Sequence, residues 1–90
     1  MLKTISVIVS GKVQGVFYRQ NTKEKAVEFG ITGEIKNLQD GNVSIIATGT
    51  EEQLNKLTDW CKKGPPRAVV TGVEVAEIAL QPFEKFSITR

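Results

Sequence analysis

Apolar residues in this chain switch from every second position to every third or fourth and back, twice over, and that rhythm limits what the chain can fold into. Ile5-Ser6-Val7-Ile8-Val9 alternates and is β-branched, which predicts a first strand. A helix is expected from about Arg19 or Gln20 to Phe29, with Thr22, Ala26 and Phe29 at helical spacing and Gly30 as its stop. Residues 31–38 read as a second strand, with Ile31, Gly33, Ile35 and Asn37 on one face. Asp40-Gly41 is a hairpin-turn pair. Residues 42–48 follow as a third strand, in which Val43, Ile45 and Ala47 share a face. Thr50 and Gln53 stand at capping-box spacing at the start of a second helix. Leu54, Leu57 and Cys61, flanked by Trp60, form its buried stripe, and Gly64 with Pro65-Pro66 ends it. A fourth strand is predicted from Val69 to about Ala79, and after a break at Pro82 a short last strand holds Phe86 and Ile88.

The order βαββαβ predicts an α+β ferredoxin-like sandwich, an antiparallel sheet with two helices covering one face. Ninety residues allow one such domain, spanning 1–90, and leave no room for a second. That architecture hosts enzymes, RNA binders and regulatory modules, so function has to be argued from a site. The chain has no His and a single Cys, Cys61. The usual His/Cys zinc sites, Ser-His and Cys-His nucleophile pairs and an internal disulfide are therefore excluded. A reducing compartment is compatible with one unpaired thiol, and the cytoplasm is the default expectation. The N-terminal apolar run is short and interrupted, neither a signal peptide nor a membrane span. A net charge of +2 suits an anionic ligand but is too small to argue for nucleic acid. The expectation is a monomer with no membrane or nucleic-acid partner, and with neither metal nor organic cofactor.

One connection carries chemistry. Residues 11–19, Gly-Lys-Val-Gln-Gly-Val-Phe-Tyr-Arg, lie between the first strand and the first helix. Two glycines let the backbone curl with its N–H groups turned inward, which makes an anion nest. The helix that follows adds free N–H groups and the positive end of its dipole. Arg19 stands at that helix start, where a cation opposes the dipole unless an anion lies between them. A phosphate fits, because Arg grips it bidentately. The bland alternatives are a plain tight connection and a surface salt bridge for Arg19. Strand, helix and terminal Arg together favour the anion site, although no Walker A pattern is present.

Asn37 is a polar side chain on an otherwise apolar row. From periodicity alone the simpler reading is that it sits at the strand end and binds turn backbone before Asp40-Gly41. The alternative is that its amide, both donor and acceptor, positions a water. Cys61 and Trp60 read as core and helix flank, Lys23, Lys25, Lys62 and Lys63 as solvated helix charges, and Asp40 as a turn residue.

Four blocks together resemble the acylphosphatase family: residues 11–19, Asn37-Leu38-Gln39-Asp40-Gly41, Gly64-Pro65-Pro66-Arg67-Ala68, and the ending Phe86-Ser87-Ile88-Thr89-Arg90. They occur in the family's order and span essentially the whole chain. The resemblance implies hydrolysis of the carboxyl-phosphate bond of small-molecule acyl phosphates, with inorganic phosphate as a product. It implies that the backbone amides of Gln14, Gly15, Val16, Phe17, Tyr18 and Arg19, with the Arg19 guanidinium, hold the phosphate. It also implies that Asn37 orients the attacking water, which reverses the simpler reading of that residue. Arg19 and Asn37 are thus the implied catalytic pair. The chain departs from the family pattern at Glu34, often an aromatic, at Lys36, often Arg, and at Tyr18, more usually Phe. These three are expected to bear on the rim of the site or on acyl preference.

Such a reaction suits a chain without His. The leaving group is a carboxylate whose conjugate acid has a pKa of about 4, so it departs without being protonated. Phosphoryl transfer makes little covalent demand on the protein and rewards positioning and charge stabilisation. Two rivals come from other classes. One is a noncatalytic binding module, since acylphosphatase-like domains also occur within larger maturation proteins that handle carbamoyl phosphate; the expected single domain speaks against that setting. The other is an RNA-binding ferredoxin-like domain, which needs exposed aromatics on its central strands. Strands one and three have none. Phosphate release from a simple acyl phosphate separates the enzyme from both.

Overall fold

A computed structural model of the chain describes residues 1–89; Arg90, the last residue of the C-terminal block, lies outside the described residues. Every expected element forms, in the expected order: β1 (Lys3–Lys12), α1 (Tyr18–Glu28), β2 (Thr32–Asn37), β3 (Val43–Gly49), α2 (Glu51–Lys63), β4 (Val69–Ile78) and β5 (Phe86–Ile88). The strands form one sheet in the order β4-β1-β3-β2-β5. β1 pairs antiparallel with β3 and β4, and β2 pairs antiparallel with β3. β5, however, pairs parallel with β2, so the five-stranded sheet is mixed rather than wholly antiparallel. The short connection after β4 crosses the end of the sheet where β4 finishes, so β5 must run opposite to β4. That direction is the one β2 already has. The crossing is clipped in place at Gln81, whose N–H donates to Thr4 Oγ1 at 2.8 Å and whose carbonyl accepts from Thr48 Oγ1 at 2.7 Å.

Register puts the apolar rows together. Ile5, Val7 and Val9 of β1 stand opposite Ala47, Ile45 and Val43 of β3, and all six are buried. α2 covers that face over β1, β3 and β4 with Leu54, Leu57 and Cys61, while α1 lies over β2 and β5. Each fully buried Leu, Ile or Val contributes about 1.5–3 kcal/mol relative to exposure, so this face is the main stabilising element. On the opposite face the central strands β1 and β3 present Ser6, Ile8, Ser44 and Ile46 and no aromatic side chain. That leaves an RNA-stacking platform without its aromatics. No helix among the described residues is long and apolar enough to cross a membrane.

The two helices end as their sequences dictate and begin very differently. α1 closes on a Schellman pair, with Gly30 N–H to the Val27 carbonyl at 3.1 Å and Ile31 N–H to the Ala26 carbonyl at 2.8 Å. α2 opens on a reciprocal capping box between Thr50 and Gln53, with Glu51 and Glu52 in its first turn. α1 opens at Tyr18, one residue earlier than expected, with no side-chain cap and no acidic residue in its first turn.

Candidate active site

The loop between β1 and α1 is held at its edges and bare in its middle. Val13 and Val16 are driven into the core, at 1% and 5% exposure, and Tyr18 follows them at 1%. Between these anchors the backbone at Gly15 and Phe17 is left-handed, with φ of 73° and 63°. Left-handed residues alternating with their neighbours produce the curl that turns successive N–H groups to one side. Phe17 adopts this conformation at a cost of about 1–2 kcal/mol, which the buried residues on either side enforce. Its ring stays in solvent. Among the described residues, no backbone N–H of residues 14–19 has a hydrogen-bond acceptor in the chain. In a protein that caps its other helix twice over, these free donors and an uncapped helix start form a concentrated positive end.

Tyr18 belongs to the support beneath this loop, not to a rim. Its hydroxyl donates to the Cys61 carbonyl at 2.8 Å, and its ring packs against Trp60 at 5.6 Å between centroids. Gly64 fits against the same ring, where a Cβ would come within 3.0 Å of Tyr18 Cε2. Gly64 is thus a close-packed seat for Tyr18 at the first turn of α1. Burial pushes the Tyr18 hydroxyl above its ordinary range and the Cys61 thiol up to about 12, so both stay neutral.

Arg19 and Asn37 meet in one cleft of about 300 Å³. Gly15, Phe17 and Tyr18 line one side with Arg19, and Asn37 and Ile88 line the other. Of the remaining loop residues, Gln14 and Val16 do not line it. Arg19 is half-buried in the first turn of α1 and, among the described residues, forms no ion pair. Its one hydrogen bond there is a long one, Nη1 to the Thr89 carbonyl at 3.4 Å. Thr89 is itself fixed by its N–H to the Ile35 carbonyl at 2.8 Å. The C-terminal end of the chain therefore steadies the Arg19 side chain, a contact across 70 positions that sequence reading missed.

Asn37 ends β2 opposite Val43. The simpler reading, that its amide binds the turn, fails. The turn is tied by Leu38 N–H to the Asn42 carbonyl at 2.8 Å, Gly41 N–H to the Leu38 carbonyl at 3.2 Å, and Asn42 N–H to Asp40 Oδ1 at 2.9 Å. Asn37 Oδ1 is buried and has no hydrogen-bond partner among the described residues. An orphaned buried acceptor costs about 1–3 kcal/mol, so its place beside the cleft calls for a ligand. Glu34 and Lys36, expected to bear on the rim or on acyl preference, alternate with Ile35 and Asn37 along β2 and so project from the other face of the sheet. Neither lines the cleft.

Gln14 also takes a role that its sequence context does not announce. The resemblance assigns its backbone amide to phosphate, but its side chain does something else: Nε2 donates to the carbonyls of Leu38 and Asn42, each at 2.8 Å. Nothing in the periodicity of a loop glutamine signals such a bond.

The arrangement is a cleft with free N–H donors, one cation and two side-chain amides, Gln20 and Asn37, and no carboxylate among the lining residues. Among the described residues no three His, Cys, Asp or Glu side chains cluster to hold a metal ion. Comparison with known proteins agrees in sequence and shape. The sequence model of the acylphosphatase family matches residues 5–88. An acylphosphatase of Methylococcus capsulatus is 44% identical over 90 residues, covering 99% of this chain and 98% of the relative. The structure of an acylphosphatase from Coxiella burnetii superposes with a TM-score of 0.95 at 41% identity, covering 98% of this chain and 93% of that one. The crystal structure of the Bacillus subtilis acylphosphatase gives a TM-score of 0.95 at 36% identity, with 100% of both chains covered.

Proposed function

This chain belongs to the acylphosphatase family and hydrolyses acyl phosphates, and we propose that it does so by direct attack of water on phosphorus, without a metal ion. The backbone N–H groups of residues 14–19 and the Arg19 guanidinium hold the phosphoryl oxygens. Asn37 holds the water in line with the bond that breaks. Water oxygen bonds to phosphorus as the phosphorus–acyl oxygen bond breaks. The carboxylate leaves with the bonding pair, and the proton lost by water passes to the phosphate product or to solvent. No general acid is required, because the leaving carboxylate's conjugate acid has a pKa of about 4. Fixed donors and a cation aimed at the phosphoryl oxygens stabilise their charge without reorganising during the reaction.

The observation that carries this reading is the convergence on one cleft of Gly15, Phe17, Tyr18 and Arg19, whose N–H groups are free, with the orphaned Asn37 Oδ1. Inorganic phosphate and sulfate are expected to inhibit competitively against an acyl phosphate, and turnover is expected to survive exhaustive chelation. Steady-state inhibition and a chelator titration check both. Noncompetitive inhibition would place the anion elsewhere, and loss of turnover restored by a divalent cation would reject the metal-free path.

A further inference from the structure

We propose that Gln14 is a positioning residue for this reaction, setting the distance between the phosphate loop and Asn37. The inference builds on the proposed roles of the loop and Asn37. Asn37 is the last residue of β2, and residues 38–42 are the turn that follows it. Gln14 Nε2 reaches across from the loop and donates one proton to the Leu38 carbonyl and the other to the Asn42 carbonyl, both at 2.8 Å. Those carbonyls stand at the two ends of the turn. Asn42 O also accepts from Leu38 N–H, so the glutamine joins the bond that closes the hairpin. Both donors of its amide nitrogen are in use.

Among the described residues these are the only hydrogen bonds joining residues 13–17 to the β2–β3 turn. β1 leaves β3 after Val9, and beyond that point it pairs only with β4. The two halves of the site therefore sit on separate elements where the sheet no longer couples them directly. Gln14 bridges that gap. In-line attack tolerates little error, since a displacement of about 1 Å can lower the rate about 10²-fold. The glutamine side chain touches neither water nor phosphoryl group and acts only through the hairpin that carries Asn37.

The test is a double-mutant cycle. Gln14→Met keeps the length and volume of the side chain and removes both donors. With benzoyl phosphate as substrate, Gln14→Met is expected to lower kcat about ten- to a hundredfold. The inhibition constant of inorganic phosphate should stay within about threefold of the parent, because the loop amides and Arg19 are untouched. Adding Asn37→Ala should then lower kcat no further than Asn37→Ala alone, since positioning an absent group has no value. An unchanged kcat in Gln14→Met, or losses that multiply in the double variant, would overturn the proposal. A purely structural glutamine would lower the unfolding midpoint and leave kcat of the folded fraction intact. If Gln14→Met does not fold, Gln14→Asn, too short to reach both carbonyls, decides by the same readouts. Should Asn37→Ala itself leave kcat unchanged, the reading of Asn37 fails first, which is a different outcome from a silent Gln14→Met.

Discussion

Arg19→Ala is expected to lower kcat/KM by about 10²–10³ and to weaken inhibition by inorganic phosphate in the same protein. In the proposed role the guanidinium meets the phosphoryl group both in the bound substrate and as charge shifts in the transition state, so binding and turnover should fall together. Stability should move the other way. Arg19 makes no ion pair among the described residues and only a 3.4 Å hydrogen bond to the Thr89 carbonyl. Its charge opposes the dipole of α1, an interaction worth about 0.3–1 kcal/mol, so removing it should leave the unfolding midpoint unchanged or raise it. Arg19→Lys keeps the charge but loses the bidentate fork, and should recover only part of the activity. Kinetics and unfolding on one preparation check these outcomes. Near-parental kcat/KM in a folded Arg19→Ala protein would reduce Arg19 to an ordinary surface cation.

Asn37→Ala is expected to separate chemistry from binding. If its amide holds the water, kcat should fall by about 10²-fold or more while phosphate inhibition stays close to the parent's. The structure also sets the stability outcome. The turn is tied by its own backbone, by Asp40 and by Gln14, and Asn37 Oδ1 is buried without a partner. Removing such an acceptor relieves a desolvation penalty, so the midpoint should not drop. An intact kcat with a lowered midpoint would return Asn37 to a turn-stabilising role. The two substitutions thus leave different signatures: one weakens phosphate binding and turnover together, the other turnover alone.

Much of the fold was legible because local signals agree with the tertiary structure. The alternating apolar rows of β1 and β3 match in register, Thr50 and Gln53 cap α2, and Gly30 closes α1. α1 itself has only a faint amphipathic pattern, since it buries the small residues Thr22 and Ala26. Its signals are the glycine at its end and the loop at its start. The parallel pairing of β5 was not legible, because a three-residue strand has no directional signal; the clip at Gln81 and the geometry of a short crossing decide it. At the site, the loop and Arg19 stand out as a local motif against a helix dipole. Asn37 does not, since strand parity places it on the inner face but cannot tell a turn ligand from an orphaned amide. Tyr18 looks like a loop residue and is a core anchor, and the Gln14 side chain, to which spacing gives no role, ties the loop to the hairpin. In both, the side chain's partner lies more than 20 positions away, beyond the reach of spacing arguments.

Direct attack of water on phosphorus is the central claim, and the fate of the water oxygen tests it. Benzoyl phosphate would be turned over in water enriched in the heavy isotope of oxygen, and both products analysed by mass spectrometry. One heavy oxygen is expected in each inorganic phosphate formed and none in benzoate, because a loop that holds the phosphoryl oxygens as proposed presents phosphorus to the water beside Asn37. Heavy oxygen in benzoate would mean attack at the acyl carbon, and would contradict the proposed roles of the loop, Arg19 and Asn37 together.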